Sequence, residues 1–248
     1  LDKKNDSLMQ VLYKETQDVF GGFEKEENQL KDLFRHVTYY YPNFKAPQII
    51  TLISGLDMDN QVIYADSLLL ISLDTYLGKD KKYYGNYPEY LRDNFEKTHI
   101  AHHIATALAH EISPHLAYRL FVERMIASGK LKYALHQFLP KKSEAEIMGY
   151  TQKKMDWAFD NEEMIWKFFI EREYLYSTDK ELQRRFMDPA PFSKFYLVSD
   201  NESPGQVGIW MGYRIVKAYM DHNKLSLPEM MATPPEKIFK NSKYKPRR

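Results

Sequence analysis

Cysteine is absent from the 248 residues, which excludes disulfides, thiolate-held zinc and thiol catalysis within this sequence. Also missing is any apolar run approaching the roughly 20 residues that cross a bilayer. The sequence opens on Leu1-Asp2-Lys3-Lys4, with neither an initiator Met nor the apolar core of a signal peptide. Such a start reads as trimmed, and any targeting or anchoring segment is expected upstream of it. A dominant charge is lacking too: 35 Lys and Arg stand against 34 Asp and Glu, interspersed, for a formal net charge of +1. That balance argues against nucleic acid as a partner, because phosphate binding needs a concentrated cationic surface. Only the ending, from Lys237 through Lys240, Lys243 and Lys245 to Arg247 and Arg248, is locally basic, and it reads as a solvated end.

What is present is a chain with 44% hydrophobic residues, long enough for one core, so a single domain over 1–248 is expected. Residues 8–37 read as two helices broken by Gly21-Gly22. The strand-like part lies at 48–54, 61–65 and 68–73, divided by Asp57-Met58-Asp59-Asn60 and Asp66-Ser67, and predicts a small meander or mixed sheet. Beyond Gly78 a Tyr-rich loop leads to Pro88, suited to a first helical turn. Helices are then expected at about 98–112, 116–128, 131–138, 151–174, 180–187, 207–222 and 235–239, with Thr151 and Ser203 as caps. The fold class is therefore α+β, mainly helical, with a small N-terminal sheet followed by a helical bundle.

The chemistry-bearing residues concentrate in one helix, since five of the eight histidines fall between His99 and His115. At about 100° per residue, Ile100, Ala101, Ile104, Ala105, Leu108 and Ile112 form one apolar stripe. His99, His103, Thr106 and His110 project from the other side, with His102 at its edge. A helix so divided packs one face and can floor a cleft with the other. His99 and His103 stand four apart, the spacing that brings two imidazoles to one metal ion. Ordinary hydrogen bonding of a polar helix face is the competing reading of the same residues. His110-Glu111 followed by His115 misses the H-E-x-x-H spacing by one residue, and Pro114 disturbs the turn between them.

Elsewhere, Trp157, Trp166 and Trp210 read as core residues of apolar helices. Glu162, Glu163, Glu171 and Glu173 read as a solvated face. Asp200-Asn201-Glu202-Ser203-Pro204-Gly205 is a polar loop that aims a helix whose Gly208 and Gly212 permit close packing, and Arg214 within that helix calls for a carboxylate partner.

Several ordered segments carry a resemblance. They include Tyr40-Tyr41-Pro42-Asn43-Phe44-Lys45 leading to Ile53-Ser54-Gly55, and Ala65-Asp66-Ser67-Leu68 leading to Leu73-Asp74-Thr75-Tyr76-Leu77-Gly78. Tyr176-Ser177-Thr178-Asp179, Ala190-Pro191-Phe192-Ser193-Lys194-Phe195-Tyr196 and the loop at 200–205 follow. Gly208-Ile209-Trp210-Met211-Gly212-Tyr213-Arg214-Ile215-Val216 and the ending at 240–246 complete them. Through these segments the chain resembles the gliding-motility lipoprotein GldB family of Bacteroidetes, which looks related to gluzincin-type zinc peptidases.

That resemblance implies a zincin-like domain with a degenerate metal site. His102 matches the first zinc ligand, His103 replaces the glutamate base, Thr106 replaces the second histidine, and Ser128 stands where the later glutamate ligand would fall. His99 and Arg214 would border the same cleft. Catalytic zinc normally needs three protein ligands and an open position, so no catalytic residue, bound metal or cofactor is expected. The implied role is a non-catalytic scaffolding or interaction domain for protein partners of the gliding and type IX secretion machinery. It would sit in the periplasm, held to a membrane by an upstream lipid anchor. The alternatives are a divergent hydrolase with a metal site rebuilt on His99 and His103, or a peptide-binding domain using the old cleft.

Overall fold

A computed structural model describes residues 7–65, 67–114 and 117–247. The chain is 58% helix and 7% strand, mainly helical with one small three-stranded sheet. Its contacts gather into two compact units, Leu1–Leu108 and Ala109–Arg248.

In the first unit, α1 (Ser7–Phe20) and α2 (Glu24–Tyr40) are divided at the expected glycines, and Gly21 takes a left-handed φ of +59° that a side chain would resist. Glu24, Glu26 and Glu27 crowd the first turn of α2, where negative charge complements the exposed N–H groups. Leu30, Leu33, Phe34 and Val37 recur at helical spacing and are buried.

The sheet is mixed, with β1 (Gln48–Leu52), β2 (Val62–Ala65) and β3 (Leu68–Ser72) in the order β1-β3-β2. β1 runs parallel to the central β3 and β2 antiparallel to it. Alternation along β3 buries Leu69 and Ile71 completely. The opposite face sets Ile50, Leu70 and Ile63 in one cross-strand row and leaves it partly open. Beyond the sheet, Leu12 of α1 packs with Leu77, Tyr84 and Phe95 in a small core that the Tyr-rich loop closes. The short helix α3 (Glu89–Arg92) begins after Pro88 as expected, and α4 (Ile100–Glu111) carries the histidines. Asp66, His115 and Leu116 lie outside the described residues, as do Leu1-Asp2-Lys3-Lys4 and Arg248.

Among the described residues of the second unit the regular elements are helices: α5 (Phe121–Phe138), α6 (Glu144–Met148), α7 (Gln152–Asp160), α8 (Glu162–Glu171), α9 (Glu181–Phe186), α10 (Val207–His222), α11 (Leu227–Ala232) and α12 (Pro235–Asn241). Its axis is the pair α5 and α10. α10 spans the expected 207–222 and is buried at Val207, Trp210, Met211, Tyr213, Ile215, Val216 and Tyr219, apolar on most of its circumference as a central helix must be.

Several features differ from the sequence reading, and the helix expected from 116 begins only at Phe121. Gly129 does not end a helix; α5 runs straight through it, because the missing side chain is what admits the backbone of α10. The expected helix at 151–174 is broken at Asn161, whose side-chain amide donates to the Trp157 carbonyl at 2.8 Å. Ser203 is not the cap of α10. It is wholly buried, and the first N–H of α10, at Val207, donates instead to Ser193 Oγ at 3.1 Å. Thr151 does cap α7, accepting from the Lys154 amide. Of the tryptophans, Trp210 is fully buried and Trp157 and Trp166 half-buried.

Lys130 on α5 is 2% exposed and donates its ammonium to the Thr233 carbonyl at 2.9 Å. Burial pulls its pKa down from 10.5 to about 8. A base with a lowered folded pKa binds fewer protons folded than unfolded between those two values. Stability therefore rises with pH across that window. Relative to Lys130→Met, the native chain should gain about 2 kcal/mol between pH 8 and 10. Parallel urea titrations of both proteins check this; a pH-independent difference would refute it.

Candidate functional site

Of the expected stripe, Ile100, Ala101, Ile104, Ala105 and Leu108 are buried on α4, while Ile112, just past its end, is half-buried. His99, His102, His103 and Thr106 are half-buried on the remaining surface, and His110 is exposed. The imidazoles of His99, His102 and His103 cluster, with ring centroids 6.1–6.4 Å apart.

Two polar groups of this cluster, His103 Nδ1 and the Thr106 hydroxyl, are tied locally. Tyr76 lies in the segment after β3 and is wholly buried, and burial raises its pKa far above the usual phenol range. Its hydroxyl, kept protonated, meets His103 Nδ1 at 2.7 Å, with the rings 5.6 Å apart. The Thr106 hydroxyl donates to the His102 carbonyl one turn back at 2.8 Å, a common resting bond for a helical threonine. Among the described residues no three His, Asp or Glu side chains gather as metal ligands would. His102, His103 and Thr106 are thus together on α4, with His99 in the 3-10 turn (Lys97–His99) that leads into it. Ser128, half-buried on α5, and Arg214, on α10, belong to the second unit.

Arg214 has the carboxylate partner it required. Its Nε donates to Glu162 Oε1 at 3.1 Å, and the Tyr244 hydroxyl donates to the same oxygen at 2.7 Å. Glu162 is 0% exposed, which corrects its reading as part of a solvated face; Glu163 and Glu171 lie towards solvent. The cost of burying this side chain is offset by a guanidinium and a phenol that both address Oε1. Burial, with the Glu162 charge next in weight, raises the Tyr244 pKa well beyond the ordinary range, so this phenol stays a donor. Tyr244 also packs edge-on to Trp166, with centroids 5.3 Å apart, and thereby fastens the C-terminal segment to α8. The lysines around it, Lys243 and Lys245, remain exposed as expected.

A second buried carboxylate escaped the sequence reading. Asp74 is 0% exposed and receives the backbone N–H groups of Ser54 at 2.9 Å, Gly55 at 2.9 Å and Leu56 at 2.6 Å. The Ser54 hydroxyl approaches both carboxylate oxygens, at 3.1 and 3.3 Å. Successive N–H groups point one way because Gly55 and Leu56 both hold positive φ, 82° and 67°. Such a turn is an anion nest, and here the chain fills it with its own side chain. Ile53-Ser54-Gly55 and Leu73-Asp74-Thr75-Tyr76, distant in sequence, are joined by this one carboxylate, and Tyr76 then reaches His103. The only sequence signal was an Asp within an otherwise apolar stretch after β3.

The polar loop at 200–205 is held equally firmly. Lys154 donates to three successive carbonyls, of Asn201, Glu202 and Ser203, at 2.7, 3.1 and 2.6 Å. Ser203 Oγ accepts from the Ser193 amide at 3.1 Å and donates to the Asp200 carbonyl at 2.7 Å. The loop aims α10, as expected, by spending its polar groups internally.

The described residues thus make a mainly helical protein with a short mixed sheet, a histidine-bearing helix held through Tyr76, and self-filled carboxylate sites. Residues 1–246 match the family model described as gliding motility protein GldB, and the chain belongs to that family. Neither a curated protein nor a solved structure matches it. Membership gives the chain a role in gliding motility. The lipoprotein label of the family accords with a membrane-anchored place in the cell envelope, and no helix among the described residues is long and apolar enough to cross a membrane.

Proposed function

We propose that this chain is a non-catalytic component of the gliding machinery, a pseudo-metallopeptidase domain on a zincin-derived plan that binds protein partners and supports type IX secretion. Its domain faces the periplasm and is tethered by lipid upstream. The observation carrying the reading is the engagement of the α4 polar face. His103, at the position of a general base, has Nδ1 on a buried phenol, and Thr106, at the position of a second ligand, has its hydroxyl on a backbone carbonyl. A working zinc site needs convergent ligands and a carboxylate able to take a proton from bound water. Here His103 is held by Tyr76 and Thr106 by the backbone of its own helix, which suits a rigid binding surface.

The test is metal analysis of protein purified without affinity tag or chelator, combined with restoration of gliding in cells lacking the native copy. Substoichiometric zinc, and full gliding with His102→Ala, are expected. Stoichiometric zinc that disappears in His99→Ala and His103→Ala would establish a rebuilt hydrolase site and refute the proposal.

A further inference from the structure

Between α9 and α10 the chain turns outward through three consecutive large apolar residues. Tyr196 is 74% exposed, Leu197 59% and Val198 105%. Single exposed apolar side chains are ordinary, but a contiguous run on one turn is not. This turn is also built rather than loose. The amides of Tyr196 and Leu197 donate to the two oxygens of Asp200 at 2.8 and 3.2 Å, and the Asp200 amide returns to the Leu197 carbonyl at 3.2 Å. Tyr196 keeps a φ of +65°, a conformation that a bulky residue adopts only when its surroundings impose it. Beneath it Arg185, only 8% exposed, stacks its guanidinium 4.4 Å from the Tyr196 ring and donates Nε to the Lys194 carbonyl at 2.9 Å. The tip is thus pinned in a shape that keeps Leu197 and Val198 away from the core.

We propose that residues 196–198 form a membrane-contacting tip, which inserts Leu197 and Val198 into the surface of a phospholipid bilayer and leaves Tyr196 at headgroup depth. The reading rests on envelope anchorage of the chain. Three features favour lipid over a protein partner. The amides of Tyr196 and Leu197 and the Leu197 carbonyl are hydrogen-bonded within the tip, which lowers the cost of a lipid environment. The apolar stretch is three residues long, with the polar residues Lys194, Ser199, Asn201 and Glu202 flanking it in sequence. A stable protein interface would need about 1,000 Å² of complementary surface. Tyrosine, moreover, is a preferred residue at the membrane–water boundary. Lys194 favours anionic headgroups and Glu202 opposes them, so apolar insertion is the main attraction. One such tip binds weakly alone, but an anchored chain presents it at high effective concentration, where it would set the orientation of the domain on the bilayer.

The absence of cysteine makes the test direct, because Val198→Cys creates a unique labelling site. The whole chain, carrying an environment-sensitive fluorophore there, is tethered through an N-terminal polyhistidine tag to nickel-chelating lipid. The vesicles are phosphatidylethanolamine and phosphatidylglycerol. Blue-shifted, brightened emission that a lipid-borne quencher suppresses is expected, with no change for a label at Lys224→Cys. Adding Leu197→Asp should reduce the inserted population about tenfold while circular dichroism stays native. A Val198 label that remains water-exposed on tethered vesicles overturns the proposal. So does photocross-linking from position 198 in cells that yields protein adducts and no lipid adducts. Fractionation of cells tests the anchorage separately: a chain found away from membranes removes that premise, whereas failure on tethered vesicles removes only the tip's role.

Discussion

Gly212→Ala should destabilise the second unit by about 3 kcal/mol or more, the upper part of the range for overpacked cores. A Cβ built on Gly212 would stand 1.8 Å from the Met125 carbonyl oxygen and 2.3 Å from its carbon. At Gly129 it would stand 2.2 Å from the Gly212 carbonyl carbon. Both obstacles are backbone, so no rotamer change can relieve them, and α5 and α10 would have to separate along their length. Separation would loosen Met125, Ile126 and Trp210, which are now sealed from solvent. The cost of a void there grows with its volume, on the order of 24 cal/mol per Å³. Differential scanning calorimetry should place the transition of Gly212→Ala roughly 6 °C or more below that of the native chain. Gly129→Ala should behave alike, and the double variant should cost less than the sum, because one displacement accommodates both methyl groups. A change below about 1 kcal/mol for either single variant would mean that the helices do not touch through these glycines. The alanine is also the better helix former by about 1 kcal/mol, so that crowding must overcome an intrinsic gain.

Asp74→Ala should cost the first unit about 4 kcal/mol, and Asp74→Asn about 2 kcal/mol. Alanine leaves the Ser54, Gly55 and Leu56 amides aimed at a site with no acceptor. Each orphaned buried donor costs about 1–3 kcal/mol, partly recovered if water enters. Asparagine supplies one oxygen, which serves Gly55 and Leu56 in one orientation or Ser54 in the other, never all three. The expected consequence reaches past the turn. Asp74 holds the segment leading to Tyr76, and Tyr76 holds His103. Nuclear magnetic resonance of the His103 ring should therefore change in Asp74→Ala. Unchanged His103 resonances in a folded Asp74→Ala protein would show that the two sites are independent.

The elements that were legible in sequence are those written in local chemistry. Gly21-Gly22 divides α1 from α2 because the left-handed turn there is cheapest for glycine. The stretches rich in Ile, Leu, Val and Tyr at 48–54, 61–65 and 68–73 became the three strands, and the apolar repeat along 207–222 became α10 with those bounds. Two short helices were overlooked although their signals are explicit: Ser143 with Glu146 and Ser226 with Glu229 each form a reciprocal capping box, opening α6 and α11. Weighing caps as heavily as periodicity would have found both.

Gly129 and Glu162 mark the other side. A glycine in a helical pattern reads locally as a stop, and a glutamate beside another reads as solvated. Only the approach of α10 makes Gly129 a contact point, and only Arg214 and Tyr244 make a buried Glu162 tolerable. The histidine helix shows both kinds of information at once. The sequence by itself determined that α4 has a packed stripe and a polar face, since a period of 3.6 residues follows from the backbone. Which partners that face meets was decided by tertiary structure. Tyr76 reaches His103 across 27 positions because Asp74 fills a nest 18–20 positions behind it. Those distances close only when the sheet has formed, and no spacing along the chain encodes them.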